Sequence, residues 1–115
     1  MEIQSVKYLL MVQDMDRAIA FYQDVIGLNL KSYSPEWSEF TLGDSTVALH
    51  GGGTGEFIET GLIFRVADIG SACQEVVSGG GKLRSGPVDR PGEPIKLAQL
   101  CDTESNGFTF SQYVG

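Results

Sequence analysis

Histidine and cysteine are nearly missing from this chain of 115 residues: His50 stands alone, and Cys73 and Cys101 are the only thiols. One imidazole is left for any metal or proton-transfer role. The two cysteines lie far apart, in no metal-binding or redox spacing, and are expected to be reduced thiols in a reducing compartment. Basic residues are also scarce, with 8 Lys and Arg against 15 Asp and Glu and a net charge of −7. A phosphate backbone rewards a basic face, so this balance argues against a nucleic-acid partner and weakly favours cationic ones. No apolar run approaches the ~20 residues of a membrane-spanning helix. The opening Met1-Glu2-Ile3-Gln4-Ser5 has neither the basic start nor the apolar stretch of a secretory signal. A cytoplasmic protein with no membrane partner is the resulting expectation.

What is present is the composition of a globular domain, 42% apolar and 20% charged. The length suits one domain spanning 1–115. Val6 to Val12 alternates as a strand, with Tyr8, Leu10 and Val12 on one face and Lys7, Leu9 and Met11 on the other. A helix follows: Asp14 is its N-cap, Asp16 sits in the positive first turn, and Met15, Ile19, Tyr22 and Ile26 recur at helical spacing up to Gly27. Segments near Leu28 to Tyr33, Trp37 to Leu42 and Thr46 to His50, separated by turn sequences, predict a meander of three strands.

After Gly51-Gly52-Gly53-Thr54-Gly55 the order starts again, which marks an internal repeat. Leu62 to Val66 reads as a strand, Asp68 as a second N-cap, and Ile69, Ala72, Cys73, Val76 and Val77 as a helix ending at Gly79-Gly80-Gly81. In one register Val12 matches Val66, Asp14 matches Asp68, Ala18 matches Ala72 and Gly27 matches Gly81. Arg84 to Pro94, rich in Pro, Gly and charge, reads as a surface loop, with a lid over a cleft as the alternative. Strands near Ile95 to Leu100 and Phe108 to Tyr113, joined by the turn Asp102 to Gly107, close the second unit. The glycine-rich segments lack the Lys-Ser or Lys-Thr helix start of a phosphate-binding loop and read as a linker and a helix stop.

Val12-Gln13-Asp14-Met15-Asp16-Arg17-Ala18-Ile19-Ala20-Phe21-Tyr22, followed by Val25-Ile26-Gly27-Leu28, resembles the opening module of the vicinal-oxygen-chelate superfamily, which includes glyoxalase I, bleomycin-resistance proteins and extradiol dioxygenases. Asp102 to Phe108 resembles the turn before that superfamily's last strand, with Thr103 where proline is usual. The resemblance implies an α+β fold of two βαβββ modules, about 1–54 and 55–115, whose curled mixed sheets surround a concave cleft with helices outside. In metal-dependent members, the first and last strands of the modules supply His, Gln or Glu ligands to one divalent ion. The corresponding positions here hold Lys7, Ala48, Gly61 and Ser111. Two lack a donor side chain, one is a weak neutral oxygen and one is a cation, so no metal ligand and no cofactor are expected. A one-residue slip in the last strand would turn Gln112 inward in place of Ser111.

The candidate ligand-binding residues are Lys7, Met11, Tyr33, Trp37, His50, Phe57, Arg65 and Ser111. Lys7 and Arg65 on the cleft-facing sets would favour an anion, or else form ordinary ion pairs with Glu39 or Glu59. Tyr33, Trp37 and Phe57 could stack on a flat compound, or complete a core or an interface. His50 is the one candidate catalytic residue, as a general base near neutrality, against the plainer role of a strand-end histidine bonded to the glycine loop. The preferred reading is a metal-free small-molecule binding protein similar to bleomycin-resistance proteins. The alternative is a glyoxalase-like or dioxygenase-like enzyme with a non-standard metal set, such as His50 with Glu39 or Glu59, or with His50 as base. The resemblance also implies a homodimer, the commonest oligomer. Native mass spectrometry at micromolar concentration should therefore show twice the chain mass, and a monomer would contradict the expectation.

Overall fold

The computed structural model describes all residues, Met1 to Gly115. It has two compact units, Met1–Gly55 and Glu56–Gly115. Unit 1 runs β1 (Lys7–Val12), helix α1 (Met15–Ala20) continued by a π-helical segment (Phe21–Ile26), then β2 (Asn29–Ser32), β3 (Trp37–Leu42) and β4 (Ser45–Gly51). Unit 2 runs β5 (Ile58–Arg65), helix α2 (Ile69–Ser78), β6 (Lys82–Asp89), β7 (Ile95–Cys101) and β8 (Asn106–Tyr113). The strand orders are β1-β4-β3-β2 and β5-β8-β7-β6. In each unit the first strand pairs in parallel with the last, and the other pairs are antiparallel. This is the α+β arrangement of two βαβββ modules that the sequence predicts.

The two-residue period of the strands sorts the core from the rest. Leu10, Val12, Phe40, Val47 and Leu49 are buried on the helix side of the first sheet, with Ala18, Ile19, Phe21 and Tyr22 of the helix. The ring of Tyr22 lies 6.2 Å from that of Phe40, and Phe21 meets Tyr22 edge-on at 5.1 Å. In unit 2 Leu62, Ala98, Leu100, Phe108 and Phe110 pack with Ile69, Cys73 and Val76 of α2. Phe64 is only partly buried and touches Phe108 and Phe110. Cys73 and Cys101 are free buried thiols, and burial pushes both thiols up from their ordinary value.

Both helices start as the sequence predicts. The Arg17 N–H donates to Asp14 Oδ1 at 3.0 Å, and the Ser71 N–H donates to Asp68 Oδ1 at 3.1 Å. They end differently. The left-handed glycine after the first helix is Gly27 (φ 90°), but after α2 it is Gly80 (φ 101°), one place earlier than the repeat register puts it. The first helix thus holds one residue more between cap and stop. The π-helical segment accommodates it: the Gly27 N–H donates to the Tyr22 carbonyl five residues back, at 3.1 Å.

The main correction concerns Arg84 to Pro94. Residues through Asp89 belong to β6, which pairs with β7 through two register shifts, and only the remainder forms the turn to β7. Pro87 is tolerated there because β6 is an edge strand, where a missing N–H breaks no inner ladder. A free lid over this span is therefore ruled out. Removing the ring of Phe40, which is 0% exposed, should cost about 3–5 kcal/mol in Phe40→Ala. Urea unfolding should show this as a lower midpoint at unchanged slope, and a loss below about 1 kcal/mol would contradict the packing described.

Candidate functional site

The face of the first sheet opposite the helix carries four of the eight sequence candidates, Lys7, Met11, Trp37 and His50. Cross-strand pairing sets Lys7, Thr46 and Thr41 in one row, Leu9, Ala48 and Glu39 in the next, and Met11, His50 and Trp37 in the third. The middle row explains the chemistry. Ala48 sits on β4 between Leu9 on β1 and Glu39 on β3, and its methyl group leaves the space above it open to longer neighbours. Lys7 crosses that space, and its Nζ donates to Glu39 Oε2 at 3.1 Å. The indole Nε1–H of Trp37, two residues along the same strand face, donates to the same oxygen at 2.8 Å. Glu39 is left 9% exposed.

These donors hold the Glu39 carboxyl below its ordinary value, the Trp37 hydrogen bond first and the Lys7 hydrogen bond second, against the opposing effect of burial. His50 lies against Trp37, ring centroids 5.8 Å apart and planes at 86°. Its Nδ1 contacts the carbonyl of Gly51. A carbonyl only accepts, so this contact assigns a proton to Nδ1. No carboxylate orients the ring, and the loop contact is the plainer role foreseen for it.

The remaining candidates divide. Tyr33 donates its phenol O–H to Asp16 Oδ1 at 3.1 Å, which raises the Tyr33 pKa. It therefore serves the start of α1 and does not join Trp37 in a wall. A shallow open cavity of about 460 Å³ lies there, lined by Gln13, Asp14, Asp16, Arg17, Tyr33 and Pro35 among others. It shares none of the Lys7, Trp37 and His50 face. Met11 lies beside His50 in the third row.

In unit 2, Ile63, Thr109 and Gln99 form one row away from the helix, and Arg65, Ser111 and Leu97 the next. Ser111 is therefore the residue on that face. Gln112 points to the helix side, where its Oε1 accepts from the Ile69 N–H at 2.8 Å. The Arg65 guanidinium lies over the Tyr113 ring, 5.4 Å from its centroid, and makes no ion pair. Glu59 is taken by Arg84 at 2.9 Å, and Arg84 also stacks on Phe57 at 4.3 Å. Of the ion pairs expected for Lys7 and Arg65 with Glu39 or Glu59, Lys7 with Glu39 forms, and Arg65 pairs with neither acid. Gly61 sits at φ 75° where β5 slips register against β8, a bulge position that glycine occupies without strain.

The four positions that carry metal ligands in the superfamily's metal-dependent members thus hold an ion-paired lysine, a covered alanine, a bulge glycine and a serine. Nowhere do three His, Cys, Asp or Glu side chains group as a metal would require. These residues do not fit a divalent ion of the superfamily's kind. Glu39 is what sequence reasoning undervalued. Its signal was the alternation Trp37, Glu39, Thr41 opposite Lys7, legible only as a possible ion pair.

Paired βαβββ modules with this face define a protein of the glyoxalase-like class. The chain matches the model of the Glyoxalase/Bleomycin resistance protein/Dioxygenase superfamily over residues 4–111, and belongs to that superfamily. Its fold is similar to that of a glyoxalase/bleomycin resistance protein/dioxygenase family enzyme from Burkholderia phytofirmans (TM-score 0.79, 19% identity, 93% of this chain and 96% of that one). It is also similar to TnmS3, an antibiotic-binding protein from a Streptomyces (0.72, 21%, 98% and 99%), and to a virulence protein of Salmonella typhimurium (0.73, 24%, 99% and 100%). No curated protein matches the sequence. No helix is long and apolar enough to cross a membrane.

A carboxyl held below its ordinary value of 4.5 stabilises the fold above that value, and the contribution is lost as pH falls through the folded-state pKa. The stability difference between the natural protein and Glu39→Gln should therefore be constant from pH 7 to about 5 and shrink at lower pH. Thermal unfolding across that range checks this, and a difference that grows on acidification would contradict the Glu39 network.

Proposed function

We propose that this protein binds a small organic molecule without a metal ion and without converting it, as an antibiotic-sequestering protein does. One observation carries the reading. The face away from the helix in unit 1 presents an exposed indole, Trp37, locked by a hydrogen bond to a buried carboxylate, with His50, Leu9 and Met11 around it. An aromatic surface already fixed in place loses little entropy on binding, which is what a stacking platform needs. Lys7, Met11, Trp37 and His50 are the ligand-contacting residues of unit 1 in this reading, and Arg65 and Ser111 are those of unit 2. Tyr33 and Phe57 are engaged by Asp16 and Arg84 and contribute less. Likeness to TnmS3, itself an antibiotic-binding protein, supports the class of function.

The set of side chains also speaks against the enzymatic alternative. His50 as a base lacks an acid to orient it and stabilise its charged form, and no ligand set converges for Lewis-acid chemistry.

Native mass spectrometry of protein purified without chelator, repeated after adding Zn²⁺, Mn²⁺, Ni²⁺ and Mg²⁺, tests this reading. The expected spectrum gains no stoichiometric metal and retains any copurified organic adduct. One tightly held metal per chain would overturn the reading and turn attention to an enzyme.

A further inference from the structure

Glu39 offers two carboxylate oxygens, and the protein uses one. Trp37 Nε1 and Lys7 Nζ both donate to Oε2, and no protein donor reaches Oε1. No buried side-chain nitrogen or oxygen in the structure lacks a partner, so Oε1 must reach solvent. An acceptor that is fixed from behind, on a residue 9% exposed, and still in contact with solvent is a ready point of recognition. We propose that Glu39 Oε1 is the polar anchor of the ligand site, and that the ligand is a neutral flat aromatic compound carrying a hydroxyl or N–H donor at its edge. This rests on the small-molecule reading and adds to it the anchoring residue and the chemistry of the ligand.

Three features point to that chemistry. An ionised carboxylate is acceptor-only, so the partner must donate. The Lys7 ammonium already balances the Glu39 charge, so a ligand cation gains little from the pair and an anion is repelled by the very oxygen it would have to meet. A neutral O–H or N–H suffers neither penalty and forms a charge-assisted bond. Flatness follows from the walls. Trp37 and His50 meet at 86° and form an aromatic corner one row along from Glu39, and Leu9, 48% exposed, adds apolar surface in the Glu39 row itself. A ring placed in that corner would bring a donor on its rim toward Oε1.

The chain has a single tryptophan, so one indole N–H resonance reports on this site by nuclear magnetic resonance. The probes are 2-naphthol and 2-methoxynaphthalene, which share one ring system; methylation replaces the O–H donor by an ether. In the natural chain 2-naphthol should shift the indole resonance at concentrations at least about tenfold lower than the methyl ether, the scale of a hydrogen bond to a charged acceptor. In Glu39→Gln the ratio of the two affinities, whatever their absolute values, should fall below about threefold. The natural protein alone can overturn the proposal, so an unfolded variant does not protect it. Equal binding of the two probes would sink the anchoring role of Glu39 and leave small-molecule binding standing. Failure of both to move the resonance at millimolar concentration would sink the proposal together with the aromatic-ligand reading of this face.

Discussion

Each sheet must hide one face beneath one helix, and the two-residue period of a strand turns that single requirement into a complete sorting of side chains. Once Leu10, Val12, Phe40, Val47 and Leu49 are committed to the helix of unit 1, Lys7, Leu9, Met11, Glu39, Ala48 and His50 have no choice of side. The same holds in unit 2, where Phe108 and Phe110 under α2 leave Thr109 and Ser111 on the opposite face. Core and candidate site are two readings of one constraint. A register slip that spoiled the core would empty the site as well.

Within that frame the face of unit 1 is organised by electrostatics. A carboxylate this deeply covered needs donors, and it takes them from the longest reach available, Lys7 across Ala48, and from the nearest same-face neighbour, Trp37. The outcome consumes the positive charge that would otherwise draw anions to Lys7. It also immobilises the indole. Arg65 in unit 2 has no such acid and rests on the Tyr113 ring. Two basic residues that both lie on the faces away from the helices therefore differ in what they can offer a ligand, one being ion-paired and the other resting on an aromatic ring.

Much of this was legible in the residues. The Asp14 and Asp68 caps, the strand faces around Tyr8 and Lys7, and Trp37 to Leu42 as a strand follow from local chemistry and were read correctly. Where the reading failed, the physical cause was a compensation that local rules do not contain. Gly86 and Pro87 look like a loop, yet an edge strand has one side with no ladder to break, and β6 forms there. The repeat register placed the second helix stop at Gly81, but a π-helical turn gives the first helix a residue that α2 does not have, and Gly80 takes the left-handed place. Tyr33 and Trp37 looked alike as exposed aromatics near turns; a hydrogen bond to Asp16 takes one toward the helix, and a hydrogen bond to Glu39 holds the other on the opposite face.

The sequence by itself determined the βαβββ repeat and which side chains share each strand face, because period and capping are local and survive without knowledge of the partner strand. It also determined that the superfamily's usual ligand positions hold Lys7, Ala48, Gly61 and Ser111. Only the tertiary structure decided which of the candidates act together. Lys7 and Glu39 are separated by 32 positions in the chain, and they meet because a parallel pair and an antiparallel pair place Ala48 between them. That alignment is a property of three strands at once, and no single segment of the sequence carries it.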